Sequence, residues 1–275
     1  MEIQMITATR TLRLAEAGPV DVTFDTYGAG RPFLMLHGGG GPITVANFAD
    51  RFATTHDVEV VCPTHPGFGG TPRPAALNTV AGLATVYLAL LDELDLTDVT
   101  VVGNSIGGWI AAEMAIIGSA RVGGVILVDG VGIEVPGHPV ADFFSLRMDE
   151  VVQLSYHDPA AFYVDPATLP PAAQAVMAGN REALAVYSGM AMNDPSLAGR
   201  LSPVRTPALV LWGDSDRIVD VDYGRAFAAA FPICRFEVLK DTGHMPQIES
   251  PDKLLTAIWA AANTDFSAQP DLGPR

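Results

Sequence analysis

The chain has 275 residues, of which 49% are hydrophobic and 17% charged, where an average soluble domain carries about 25% charged residues. That balance excludes intrinsic disorder, which needs a chain poor in apolar residues, and supplies enough apolar mass for a single large core. With 16 basic against 31 acidic residues the net charge is −15, which argues against nucleic acid or an anionic membrane as partner, since both need basic surface.

The first residues, MEIQMITATRTLRLAE, show no basic stretch followed by an apolar core, so no signal peptide is expected. The longest apolar-rich stretch, Ala81 to Leu91, stops at Asp92, short of the ~18 residues a membrane span needs. Cys62 and Cys234 lie far apart and form no metal-type pair, so both are expected as buried core residues. A cytoplasmic location fits these features.

In chain order, β-rich runs are expected at Val20–Tyr27, Phe33–Leu36 and Val58–Cys62, then a helix over Val80–Leu94 and a strand over Val99–Val102. A helix over Ile106–Ile117 and a strand over Val125–Val128 follow. The segment from Glu134 to Pro203 has no clear strand; prolines punctuate helical pieces at Asp142–Leu154 and Ala172–Met192. An insert this long between core strands exceeds an ordinary loop and reads as a helical lid. After it come a strand over Ala208–Trp212, a helix over Tyr223–Phe231, a strand over Arg235–Leu239 and a helix over Asp252–Ala262. The central strands are continuous apolar runs, VTVV, VILV and ALVLW, as parallel strands covered on both faces are. The expected fold is therefore α/β, a mostly parallel central sheet with helices on both faces. The expected organisation is core over 1–133, lid over 134–203, core over 204–263 and a fraying polar tail over 264–275.

The strongest chemical signal is Gly103-Asn104-Ser105-Ile106-Gly107, which joins an apolar run to a helical one. This is a G-x-S-x-G nucleophile elbow in its expected strand–turn–helix context. The helix that starts at Ile106 aims its amides and positive dipole end at an anion formed beside the serine. No G-x-G-x-x-G follows a strand here, and the absence of a P-loop lysine excludes that motif. Upstream, His37 and Gly38–Gly41 follow a buried strand and lead into a helix, so backbone N–H groups can approach an oxyanion. His37 itself reads as structural. Late in the chain, Asp214 and Asp216 lie just beyond an apolar strand, and His244 follows the strand ending near Leu239. A serine hydroxyl is a weak nucleophile until a base takes its proton, and that base needs a carboxylate to fix its tautomer.

Four motifs, HGGGGP, GNSIGG, WGDSDRIV and TGHMPQIE, together resemble the α/β-hydrolase fold superfamily from about Val20 to Ala262. The resemblance implies a triad of Ser105, Asp216 and His244, the G-x-x-D pattern selecting Asp216 over Asp214, with Asp129 as the other acid position. It implies an oxyanion hole from the backbone N–H groups of Gly39 and Ile106. Thr64 departs from the family, where many relatives carry aspartate before the Gly-x-Gly. The serine excludes the aspartate-nucleophile dehalogenases and epoxide hydrolases and points to attack on a carbonyl. Asn104, Asn47 and Arg181 resemble substrate-binding residues of the meta-cleavage-product C–C hydrolases, the arginine pairing with a substrate carboxylate. Met245, where those enzymes usually carry tryptophan, and the missing G-P-G ending depart from them. The expected activity is a serine hydrolase acting on a small ester-like carbonyl substrate through an acyl-enzyme. One alternative is C–C cleavage of a carboxylate-bearing vinylogous diketone; an alternative of another class is a non-catalytic small-molecule receptor on the same fold. No histidine or carboxylate cluster has ligand spacing, so no metal or other cofactor is expected.

Overall fold

The apolar runs of the sequence become the centre of an eight-stranded sheet in a computed structural model that describes residues 5–263. Its elements are β1 (Ile6–Leu14), β2 (Gly18–Gly28), β3 (Arg31–Leu36), α1 (Ile43–Thr55), β4 (Val58–Pro63), α2 (Val80–Glu93), β5 (Val99–Asn104), α3 (Ile106–Ile117) and β6 (Val122–Val128). There follow α4 (Met148–Ser155), α5 (Pro159–Phe162), a 3-10 turn (Pro166–Thr168), α6 (Pro171–Ser188) and α7 (Leu197–Leu201). The chain then returns through β7 (Ala208–Gly213), α8 (Val221–Ala230), β8 (Cys234–Leu239), α9 (Pro246–Glu249) and α10 (Pro251–Asn263). The strand order is β1-β2-β4-β3-β5-β6-β7-β8. β1 and β2 pair antiparallel, as do β2 and β4, and the pairs from β4 through β8 are parallel.

Period-two alternation sends neighbouring strand residues to opposite faces. Leu34, Leu36, Val101, Leu127 and Val210 enter one apolar layer, under α2, α3 and α8. Phe33, Met35, Val102, Ile126 and Leu211 enter the other, under α1 and α10. Burial on both faces is why these strands carry no polar alternation. Cys62 is buried and Cys234 half-buried, and both are free thiols. Among the described residues no helix is long and apolar enough to cross a membrane.

One strand has no counterpart among the apolar runs. β1 is an edge ribbon in which only Leu12 is buried, and threonines pair with β2 through Thr7–Asp25, Thr9–Thr23 and Thr11–Asp21 side-chain hydrogen bonds. Its signal was β-branched threonine at alternate positions, which an apolar criterion passes over.

Between β6 and β7 the only regular structure among the described residues is helical, joined by loops, apart from one isolated bridge, Gly132 to Asn193. Arg200 on α7 pins this insert to α3 by two 2.7 Å bonds to the buried Glu113, and is itself held by a third to Asp194 within the insert. The polar tail expected to fray, 264–275, lies outside the described residues.

Candidate active site

Ser105 joins β5 to α3 with φ 56° and ψ −119°. Such a backbone is costly for a residue with a Cβ and persists only where its surroundings hold it. The hold is steric: a Cβ on Gly103 would lie 2.0 Å from the Gly107 carbonyl oxygen, and one on Gly107 would lie 2.3 Å from that of Leu36. The turn can therefore close only with glycine on both sides. Ser105 is nearly buried, and Ile106 opens α3. The first amides of a helix have no partner inside it, so the Ile106 N–H is free of the helix ladder.

His244 Nδ1 lies 2.7 Å from Asp216 Oδ2, with both side chains buried. Asp216 Oδ1 accepts the N–H groups of Ile218 (2.8 Å) and Val219 (3.2 Å). The carboxylate is thus fixed by its own loop while it holds the imidazole. Asp214 faces elsewhere: its Oδ1 accepts from Ser215 and from the Thr242 N–H.

Ser105, His244, Asn104 and Gly39 line one cavity of about 330 Å³. Its floor is the loops at the carboxyl ends of β3, β5, β7 and β8, where α/β sheets bind ligands. Its roof is α4 and α6, which contribute Val151, Val152, Met177 and Leu184. The lining is largely apolar, and four methionines, Met148, Met177, Met192 and Met245, belong to it. No carboxylate among the described residues lines it, despite the strongly acidic chain.

Asn104 ties the elbow to the histidine loop. Its Nδ2 donates to the carbonyls of His244 (2.9 Å) and Val128 (3.2 Å), and its Oδ1 accepts from Gln247 Nε2 (3.1 Å). Arg181 lines the cavity and donates to the carbonyls of Phe143 (2.7 Å) and Leu146 (3.1 Å), with its guanidinium 4.9 Å from the Phe143 ring centre. Among the described residues no carboxylate pairs with it. Asn47 is placed differently from the expectation. It is exposed on the outer face of α1, whose buried side is Val45, Phe48, Ala49, Phe52 and Ala53, and it does not line the cavity. Besides Asn104, the asparagine that does is Asn180 on α6, buried, with Nδ2 donating to the Gly40 carbonyl (3.1 Å) and Oδ1 accepting the Gly69 N–H (2.8 Å). It could be found only by assembling α6 over the glycine loop, which no local pattern does.

His37 does not line the cavity. It and His65 are fully buried with ring centres 3.6 Å apart. His37 Nε2 accepts the His65 N–H (3.1 Å), so its Nδ1 carries the proton and donates to the Gly38 carbonyl (2.7 Å). His65 Nε2 donates to the His37 carbonyl (2.9 Å), leaving Nδ1 to accept from the Tyr87 hydroxyl. Burial pushes His37 down to about 4 and His65 well below the usual imidazole range, so both stay neutral.

A sheet of this order, a serine on a strained strand–helix turn and a histidine–aspartate pair beyond the last strands define an α/β-hydrolase. The chain matches the alpha/beta hydrolase family over residues 33–257 and belongs to it. It is 28% identical over 257 residues (84% of this chain, 87% of the relative) to a 2-hydroxy-6-oxononadienedioate/2-hydroxy-6-oxononatrienedioate hydrolase of Paraburkholderia phymatum. It is 27% identical over 263 residues (86% and 91%) to a 2-hydroxy-6-oxo-2,4-heptadienoate hydrolase of Pseudomonas putida. Among solved structures, a thermophilic esterase from Thermogutta terrifontis superposes with TM-score 0.74 at 22% identity, covering 94% of this chain and all of that one.

Proposed function

We propose that this α/β-fold hydrolase uses Ser105 as nucleophile, His244 as base and Asp216 as the orienting acid against a small, largely apolar ester-like substrate. The observation that carries the reading is that His244, held 2.7 Å from Asp216, lines the same cavity as the strained Ser105. His244 Nδ1–H donates to Asp216, which leaves Nε2 to take the serine proton. The serine oxygen attacks the carbonyl, and the tetrahedral oxyanion rests on the N–H groups of Ile106 and Gly39. Collapse expels the alcohol with the proton returned by His244; water, deprotonated in turn by His244, clears the acyl-enzyme. The insert over 134–203 acts as a lid that supplies the apolar wall.

Ester chemistry asks for no more than these groups. C–C cleavage asks in addition for residues that ketonise the substrate, and two of the candidates are otherwise placed: Asn47 is exposed and the Asn104 amide is engaged with the histidine loop. C–C cleavage stands as the second reading because the relatives are named as dienoate and dienedioate hydrolases and because Arg181 lines the cavity without a paired carboxylate. That cation would hold a substrate carboxylate.

Turnover of short-chain aryl esters and of a vinylogous diketone acid by wild type, Ser105→Ala and Arg181→Ala separates these. Ester turnover that falls at least about 1,000-fold in Ser105→Ala supports the proposal, and equal turnover in both proteins refutes it. Faster turnover of the diketone acid, with a raised KM in Arg181→Ala for that substrate alone, selects C–C cleavage. Binding of both compounds with no turnover by wild type would make the chain a receptor.

A further inference from the structure

A second aspartate lies behind the pair described above. Asp129 follows β6 in a left-handed conformation (φ 48°) and is completely buried. Its Oδ1 accepts the Gly213 N–H at 2.8 Å. Its Oδ2 is buried and has no hydrogen-bond partner supplied by a conventional donor among the described residues. The ionisable groups that act on it are Asp216, whose own N–H donates to the carbonyl of the same Gly213 (3.3 Å) on the turn after β7, and more weakly Glu249 on α9. His244 stands on the far side of Asp216. No cation pairs with Asp129 among the described residues.

Two adjacent carboxyl groups shut away from water and without a cation do not both ionise, because desolvation and mutual repulsion return a proton to one of them. The acceptor count says which. Asp216 receives N–H groups from Ile218, Val219 and His244, which fill about three of the four lone-pair positions of a carboxylate and leave one. Asp129 receives a single N–H. Burial beside Asp216 accordingly raises the Asp129 carboxyl well above the usual carboxylate range.

We infer that Asp129 is a neutral carboxylic acid whose Oδ2 hydroxyl donates to Asp216, making it a positioning residue for the carboxylate that orients His244. The donated bond satisfies the otherwise orphaned oxygen, fills the last acceptor position of Asp216, and spreads the charge that Asp216 presents to the imidazole. The consequence for catalysis rests on the proposed role of His244; the proton on Asp129 does not.

Two readouts test this on Asp129→Asn and Asp129→Ala. The first is unfolding by urea across about pH 5 to pH 8. The unfolded chain gives up the Asp129 proton above the usual carboxylate range while the native chain keeps it. The folding equilibrium of wild type should therefore fall relative to that of Asp129→Asn by up to about tenfold per pH unit. A difference that does not vary with pH means an ionised Asp129 and overturns the inference, whatever the protein's activity. The second is the pH profile of ester kcat/KM. Asparagine keeps an acceptor for Gly213 and a donor for Asp216, so it should restore the acidic limb and hold kcat within about threefold of wild type. Alanine should raise that limb and cut kcat by about tenfold. An acidic limb that moves down in Asp129→Asn, as removal of a negative charge beside His244 would cause, overturns the inference. So does an Asp129→Ala enzyme with unchanged profile and rate.

Discussion

The cavity is bordered by two seams built from different chemistry. On one side, the glycine loop after β3 is fastened to the loop after β4 and to α2 by His37, His65 and Tyr87, all fully shut from solvent and all neutral. On the histidine side, the last turn of α4 is fastened to the loops of Asp216 and His244 by backbone groups and one carboxylate. The His244 N–H donates to the Ser155 carbonyl (2.7 Å) and the Arg217 N–H to that of Leu154 (3.0 Å). Glu249 accepts from the N–H groups of His157, Asp158 and Gly243 (2.7, 3.0 and 2.6 Å). The first seam is wholly internal to the core. The second runs between the strand-end loops and the segment joining β6 to β7, so part of that segment supports the loops of His244 and Asp216. Beyond Asp158 the contacts change: from Pro159 to Ala178 most residues are exposed, and the hydrogen bonds around Asp165, Thr168 and Gln174 are local.

The largest effect is expected from acid on the first, histidine-built seam. The unfolded chain protonates an imidazole near the usual 6.5, whereas native His37 does so only near about 4. Between those values the unfolded state binds more protons, so stability is lost as pH falls, by about 1.4 kcal/mol per pH unit for each histidine so held. Urea midpoints measured downward from pH 7 should fall in this window; flat midpoints would mean the imidazoles are already charged. Next comes Gly243→Ala, whose Cβ would lie 2.3 Å from the Ser155 carbonyl oxygen. Shifting the His244 loop by an ångström should lower kcat about 100-fold with KM little changed, and kinetics equal to wild type would dissolve the second seam. Glu249→Ala removes an acceptor from three N–H groups and should cost about 2 kcal/mol, read as a lower urea midpoint with faster hydrogen exchange at Gly243 and His157. The smallest is Asp165→Ala, which loses one exposed bond to the Ala167 N–H. It should stay within about 0.5 kcal/mol of wild type; a larger loss would show that the outer half of the insert is load-sharing after all.

Much of this was legible in the sequence, for physical reasons. Apolar runs such as ALVLW report burial on both faces, and glycines at 103 and 107 report a turn where no side chain fits. These are local signals. Edge strand β1 was missed because only one of its residues is buried. Asn47 and Asn180 show the other limit. Both are asparagines near helical residues, and only the packing of α6 over the glycine loop decides that the second faces the cavity. Glu249 sits in the quoted motif TGHMPQIE, yet two of its three partners are 92 and 91 residues away, so nothing in the motif reveals a brace to the segment after α4.

The most direct measurement of the central claim is intact-mass analysis after fluorophosphonate treatment, with the adduct mapped by peptide sequencing. One adduct per chain should form on Ser105, disappear in Ser105→Ala, and form at least about 100-fold more slowly in His244→Ala. An adduct on another residue, or labelling of Ser105→Ala at the wild-type rate, would contradict the account.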